Sequence, residues 1–192
     1  MCSSDLDALS HLQVGDRGYN GLRVSDIAAP DGVRALGIET VPQIITRGHL
    51  VDVSAERLGP GDVISTDAVA ALETRPGDAV LFHTGWGRHW DDPPTYLEGE
   101  PGPGLALAAW LVAHGVALTG CDTWSYGPVP AEDAARPFEV PQTLNVKHGV
   151  FVVENLDTSS LAAAGVTEFA LVLTFPKLRG ATGAWCSPIA LV

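Results

Sequence analysis

The alternation of apolar runs with turn-forming residues predicts a succession of short strands and single helices. Several runs are continuous or rich in β-branched residues, which is typical of strands in a sheet that is covered on both faces. The predicted strands are residues 44–53, 79–82, 116–121, 150–153, 169–175 and 189–192. Residues 12–42, 84–94 and 122–139 are rich in glycine, proline and other turn formers, and we predict them to be mostly loop.

The clearest predicted helix covers residues 104–114. Its apolar residues cluster on one face, His114 suits the negative end of the helix dipole, and Gly115 supplies a left-handed stop. Shorter helices are predicted after a cap at residues 65–67, over residues 141–148 and over residues 157–164. Because strands alternate with single helices after the middle of the chain, the pattern indicates an α/β fold in one domain covering residues 1–192.

Composition narrows the class of protein. The chain has 192 residues, enough for one domain with a sizeable core. With 11 basic and 23 acidic residues, its formal charge is −12, so we expect no nucleic-acid partner. No apolar run approaches the roughly 18 to 20 residues of a membrane span, and the first residues do not resemble a signal peptide. The three cysteines are widely separated, which fits a cytoplasmic location rather than a disulfide framework.

An acid and an imidazole near the amino terminus are the first candidates for chemistry. Asp7 and His11 are four residues apart, so their side chains share a face on a helix and also on a strand. Such a pair can bind a metal or move a proton. The alternative is that Asp7 caps a turn and His11 is a surface residue.

A second candidate is Glu154, which follows an apolar run at the end of a predicted strand. An unpaired charge at such a position costs several kcal/mol unless it is neutralised, paired or bound to a metal. The alternative to a functional role is a salt bridge, for which Arg47, Arg88 and Lys147 are candidate partners.

Four aromatic residues lie in the two long loops. They are Trp86, Trp90, Trp124 and Tyr126. They would either line a pocket for a flat, aromatic or cyclic amide, or close the domain or a subunit interface. His83, directly after an apolar strand, is a further residue of interest without an assigned role.

Several motifs in order give the chain a family resemblance. The motifs are Thr84-Gly85-Trp86-Gly87, Gly120-Cys121-Asp122-Thr123, Val153-Glu154-Asn155-Leu156 and Leu178-Arg179-Gly180-Ala181-Thr182-Gly183. Together they resemble the cyclase family of metal-dependent hydrolases, to which kynurenine formamidase and isatin hydrolase belong. The resemblance runs from about Asp7 to Val192. It implies a swivelling β/β/α-type fold, in which helices flank a mixed sheet, a small-molecule substrate and a homodimer or larger oligomer.

The resemblance also implies roles for individual residues. The family signature is His-x-Gly-Thr-His-x-Asp-x-Pro-x-His, in which Asp7 matches a metal ligand and His11 the catalytic acid/base. Glu154 matches a second metal ligand. Ser3-Ser4-Asp5-Leu6 stands where the early histidines are expected. Because residues 1–6 resemble a translated adapter remnant, we interpret them as a non-native leader and expect a truncated amino terminus. Pro141 occupies the position of a ligating histidine, and His148, at the far end of the same helix, is better explained as a partner of the helix dipole.

The implied activity is hydrolysis of an amide or cyclic amide, most like the arylformamidase of tryptophan catabolism. A divalent metal, zinc or manganese, would activate a water molecule, and His11 would move a proton. Trp86, Trp124 and Tyr126 would bind the substrate. Because ligand positions are lost, we expect weak metal binding in this chain. The alternative hypothesis is a catalytically lapsed or truncated relative that acts at most as a small-molecule binding module.

Overall fold

Eight strands of the computed structural model, which describes residues 4–192, join into one mixed sheet. The chain forms the strands β1 (Asp5–Asp7), β2 (Ala28–Ala29), β3 (Gly32–Val33), β4 (Ile44–Asp52), β5 (Val63–Ile64), β6 (Ala79–His83), β7 (Gly102–Pro103), β8 (Leu118–Cys121), β9 (Phe151–Glu154), β10 (Glu168–Thr174), β11 (Gly183–Trp185) and β12 (Ser187–Leu191). The order in the large sheet is β11-β1-β9-β8-β6-β4-β10-β12, and β2-β3 and β5-β7 form two small ribbons.

The centre of the sheet is parallel and its flanks are antiparallel. Strands β4, β6, β8 and β9 run in the same direction. Strand β1 pairs antiparallel with β9 and with β11, while β10 pairs antiparallel with β4 and with β12. The carboxyl ends of four parallel strands therefore meet at one edge, which is where open α/β sheets place their ligands.

The helices are short, and most of them connect strands. They are α1 (Val24–Ile27), α2 (Pro93–Glu98), α3 (Leu105–Ala113), α4 (Glu139–Pro141), which continues as a π-helical turn over Gln142–Lys147, and α5 (Ser159–Ala163). Short 3₁₀ turns cover Tyr19–Gly21, Ile38–Thr40, Ser54–Glu56, Thr66–Val69 and Trp86–His89. Among residues 4–192 no helix is both long enough and apolar enough to cross a membrane.

The sheet separates two hydrophobic cores, because alternate side chains of a strand point to opposite faces. The first core contains Leu6, Leu81 and Val153, against which Leu161 of α5 packs. The second core is built on the other face by α3 and the helix around Leu144. A mixed α/β fold with helices against a large mixed sheet is thus confirmed.

The predicted elements agree with the structure where the apolar signal is strong. All six predicted strands are present with ends shifted by at most two residues, and α3 ends before Gly115 at a φ of 69°. The predicted loop at 84–94 instead contains a 3₁₀ turn and the start of α2. Leu6 is fully buried within β1, while Met1, Cys2 and Ser3 lie outside the described residues. The assignment of residues 1–6 as a leader stays a prediction.

Candidate active site

Three carboxyl groups are placed on one face of the sheet by the pairing of β1 with β9. Asp5 lies opposite Glu154 and Asp7 lies opposite Val152 in the antiparallel register. Residues two apart on a strand share a face, so Asp5, Asp7 and Glu154 all point to the side of the second core. We call these three side chains the carboxyl cluster.

His11 lies beside the carboxyl cluster. Its Nδ1 atom is 3.4 Å from Oδ1 of Asp7 and 3.4 Å from the hydroxyl of Thr182. The imidazole is 42% exposed, whereas the Asp7 side chain is 4% exposed. Asp7 ends β1, and a turn closed by the His11 N–H donating to the Ala8 carbonyl brings the ring back over it. The pair expected from the four-residue spacing therefore forms across a turn, with a buried acid and an accessible base.

The environment of the carboxyl cluster favours protonation. Burial is the main cause that raises the pKa of Glu154, and the charges of Asp7 and Asp5 raise it further. Burial likewise raises the pKa of Asp7, although the nearby His11 partly offsets this effect. The pKa of Asp5 is also raised by burial, against a hydrogen bond from Asn155. Repulsion among the three acids therefore adds to the effect of burial in favouring protonation of the cluster.

Glu154 forms no ion pair with any described residue, so its salt-bridge alternative is not seen. Arg47 is paired with Asp78, and Lys147 donates to the hydroxyl of Thr143. The third candidate, Arg88, donates to the carbonyl of Gly85.

Residues 2–128 match the model of the family named Cyclase, described as "Putative cyclase". The chain belongs to the Cyclase family. Among curated proteins, none matches its sequence.

Solved structures extend the likeness over nearly the whole chain. One, described as a novel cyclase, is 27% identical with a TM-score of 0.85 over 98% of this chain and 68% of its own. An isatin hydrolase bound to the product analogue thioisatinate is 20% identical, with a TM-score of 0.73 over 98% and 71%. A predicted metal-dependent hydrolase from Bacillus stearothermophilus is 18% identical, with a TM-score of 0.64 over 98% and 75%. The last two likenesses show the fold alone.

The donor set of this chain does not fit a complete metal centre. In the described part of the chain, no group of three or more His, Cys, Asp or Glu side chains is arranged to hold a metal ion. Pro141 is buried in α4 and brings no donor atom in its side chain. His148 caps the other end of that helix and is exposed, as the sequence predicted for a partner of the helix dipole.

A cavity of about 550 Å³ is lined by Trp124, Tyr126, Pro141 and Phe138. The backbone N–H of Tyr126 is near enough to the Glu154 carboxyl to lower its pKa slightly against the effect of burial, which places this cavity beside the carboxyl cluster. The phenol of Tyr126 is 1% exposed and lies 2.6 Å from the hydroxyl of Thr119, so the ring forms a fixed wall. The indole nitrogen of Trp124 is buried and has no hydrogen-bond partner within residues 4–192. It is therefore a buried, unpaired donor in a side chain that also lines the cavity.

The other aromatic residues of the loops lie elsewhere. Trp86 is 5% exposed, and its indole N–H donates to the carbonyl of Tyr96 at 3.3 Å. Trp90 contacts the ring of Tyr96 edge-on at 5.5 Å between ring centres. The substrate-binding role given to Trp86, Trp124 and Tyr126 remains a prediction, and Trp124 and Tyr126 now share a cavity.

Sequence reasoning missed one carboxyl group that shapes this region. Glu100 is fully buried, and its carboxyl oxygens accept the backbone N–H groups of Trp124 at 2.8 Å and Ser125 at 3.1 Å. Burial raises its pKa to about 9, and the neighbouring charge of Glu154 adds to the rise. Glu100 therefore holds the loop that carries Trp124. Its short glycine- and proline-rich surroundings contain no pattern that could have revealed this contact.

Proposed function

We propose that the protein is a hydrolase of a small amide or cyclic amide that acts at the carboxyl cluster and His11. The observation that carries the proposal is the pairing of buried Asp7 with accessible His11 beside Glu154, in a member of the Cyclase family. An isatin hydrolase with the same fold supports a cyclic amide as substrate. An arylformamidase-like activity would be the same amide hydrolysis, with an open-chain formamide as substrate in place of a cyclic amide.

The chain's own residues suit the proton transfers of such a reaction. Oδ1 of Asp7 lies 3.4 Å from Nδ1 of His11 and favours a proton on that nitrogen, which leaves Nε2 as the basic atom that takes a proton from an attacking water. The same ring can return the proton to the leaving nitrogen. Positioned general bases of this kind contribute roughly 10²- to 10⁴-fold to a rate.

The cavity beside the cluster suits a flat substrate. At about 550 Å³ it falls within the usual range for small-molecule sites, roughly 300 to 1,000 Å³. Trp124 and Tyr126 offer aromatic walls to this cavity. A flat aromatic or cyclic compound matches these walls.

A second candidate function is that of a small-molecule binding module without turnover. It is favoured by Pro141, whose side chain cannot bind a metal, and by the finding that no three His, Cys, Asp or Glu side chains of the described residues are arranged to hold one. Two relatives are described as metal-dependent hydrolases. For this chain we propose a divalent metal, zinc or manganese, that is held weakly.

Hydrolysis of isatin and of N-formylkynurenine by the purified chain separates the two functions. We expect slow turnover that falls about 10²- to 10⁴-fold in His11→Ala, and falls strongly in Asp7→Ala and Glu154→Ala. The control is Glu98→Gln, which removes an exposed carboxylate of α2. Full activity in Glu154→Ala would show that its assignment is wrong. Binding of both compounds without hydrolysis, before and after Pro141→His, would favour the binding module.

A further inference from the structure

A second and larger cavity lies at the carboxyl edge of the parallel strands. It has a volume of about 780 Å³, and its walls include His83, Arg88, Trp90, Tyr96, Asp122 and Thr158. Phe82 and Cys121, which precede His83 and Asp122, belong to the second core. Because side chains alternate along a strand, His83 points to the opposite face, and Asp122, the first residue after β8, contacts it there. The cavity and the carboxyl cluster are thus on different sides of the sheet.

His83 is held at this cavity through one of its ring nitrogens. Its Nδ1 atom is 3.3 Å from Oδ2 of Asp122 and 2.7 Å from the hydroxyl of Thr158. Asp122 is itself fixed, since it accepts the backbone N–H groups of Thr84 at 2.8 Å and Gly85 at 2.9 Å. Within residues 4–192 no side chain or backbone group bonds Nε2. The contacts of Nδ1 therefore fix the orientation of the ring, and Nε2 remains free.

The charge of His83 follows from the same contacts. The hydrogen bond to Asp122 is the main cause that raises the pKa of His83, burial acts against it, and the charges of Asp122, Asp52 and Asp157 support it. The protonated imidazole is a donor at both nitrogens, so Nε2–H is available to an acceptor in the cavity.

The remaining polar groups of the cavity favour an anionic ligand. Arg88 uses Nη1 to donate to the Gly85 carbonyl at 2.7 Å and has no ion-pair partner in the described chain, which leaves N–H groups free. The carboxylates of Asp122 and Asp157 already accept hydrogen bonds from backbone and hydroxyl groups. Asp91 is exposed, where its charge is largely screened by solvent. The cavity groups that can still donate are Nε2 of His83 and the free N–H groups of Arg88, and both belong to cationic side chains.

An aromatic wall completes the cavity. The rings of Trp90 and Tyr96 meet edge-on with their centres 5.5 Å apart. The hydroxyl of Tyr96 donates to Oδ1 of Asn155 at 2.8 Å, so this ring presents its apolar surface without an unpaired polar atom. Apolar walls with a few convergent polar groups are typical of small-molecule sites.

We propose that this cavity is a second small-molecule site and that it binds an aromatic carboxylate. The carboxylate accepts hydrogen bonds from Nε2 of His83 and from the guanidinium of Arg88, and the ring packs against Trp90 and Tyr96. This site goes beyond the proposed hydrolase function, because it uses none of Asp7, His11 or Glu154.

Calorimetric titration of the full chain with benzoate at pH 6 tests the site, with benzylamine and benzamide as probes of the opposite and zero charge. We expect benzoate to bind and to weaken at least tenfold in both His83→Gln and Arg88→Gln. His114→Gln is the matched control, since this exposed histidine stacks on Trp110 outside the cavity. Arg88 is exposed, so its variant keeps the test decisive if His83→Gln folds poorly.

Three results would overturn the proposal. The first is no benzoate binding at concentrations up to about 10 mM, roughly tenfold above a dissociation constant of 1 mM. The second is tighter binding of benzylamine than of benzoate. The third is loss of benzoate binding in Trp124→Ala with no effect of Arg88→Gln, which would assign the ligand to the cavity beside the carboxyl cluster. Failure of amide hydrolysis would leave these outcomes unaffected.

Discussion

Replacing Asp122 with asparagine should destabilise the protein by about 2 to 4 kcal/mol. One oxygen of Asp122 accepts the N–H and hydroxyl of Thr84, and the other accepts the N–H of Gly85 and lies 3.3 Å from Nδ1 of His83. Asparagine can keep the first oxygen but turns the second into an NH₂ donor, which faces the Gly85 N–H. The loss of hydrogen bonds to a buried charge is worth roughly 1.5 to 3 kcal/mol each, and relaxation of the loop recovers a part.

The cost of the Asp122→Asn change should also depend on pH. The folded pKa of His83 lies above its ordinary 6.5, so its pairing with Asp122 stabilises the fold at low pH and is lost as the pH rises through that folded pKa. The folded pKa of Asp122 is lowered by the hydrogen bonds from His83 and Thr84, which outweigh burial. Its carboxylate therefore stays ionised between pH 5.5 and 8.5. The difference in free energy of unfolding between the two proteins should be larger at pH 5.5.

Urea denaturation at pH 5.5 and 8.5 measures both effects, and the pKa of His83 can be followed by NMR. Asp91→Asn serves as the control, because Asp91 is an exposed acid at the same cavity and its loss should stay within about 0.5 kcal/mol. The reasoning would be refuted by an Asp122→Asn protein as stable as the original, or by an equal loss at both pH values.

Three further predictions concern charge, metal and backbone. Burial opposes ionisation of Asp78, but the hydrogen bond from Arg47 lowers its pKa to about 2. Asp78→Asn should therefore lower the free energy of unfolding by about 1 to 2 kcal/mol near neutral pH, and by progressively less as the pH falls from 4 to 2, measured by urea denaturation. After loading with zinc or manganese, elemental analysis should find well under one metal per chain and more in Pro141→His; a near-stoichiometric content in the original protein would contradict this. Gly149→Ala should cost about 1 to 3 kcal/mol by thermal unfolding, because φ is 68° and the new methyl would meet the Tyr19 ring 2.6 Å away.

The fold could be predicted wherever a strand carries its own apolar signal. Strands β4, β6 and β10 are recognisable because burial on both faces requires continuous apolar residues. Strands β1 and β11 have three residues each, which is too short for a periodic pattern. They form because β1 pairs with β9 and β11 pairs in turn with β1. The continuation of α4 as a π-helical turn has no sequence signal that we can identify.

The candidate site was predictable in part for a related reason. Asp7 and His11 are close in sequence, and Glu154 ends an apolar run, so each gave a local signal. Asp5 was not singled out, because its place in the carboxyl cluster follows from facing Glu154 across the β1–β9 ladder. The pairing of His83 with Asp122 depends on the adjacency of β6 and β8 in the sheet, which local patterns do not specify.

The two candidate sites are separated by the sheet but meet at Asn155. This residue follows Glu154 and adopts a φ of 53°, a left-handed conformation that asparagine tolerates better than most residues. Its amide oxygen accepts the hydroxyl of Tyr96 at the large cavity, and its amide nitrogen donates to Oδ1 of Asp5 at 3.2 Å in the carboxyl cluster. An amide can serve both partners, whereas an aspartate there would add a fourth carboxyl group to the cluster and lose the donor to Asp5. Asn155 therefore joins the walls of the two sites without adding charge to either.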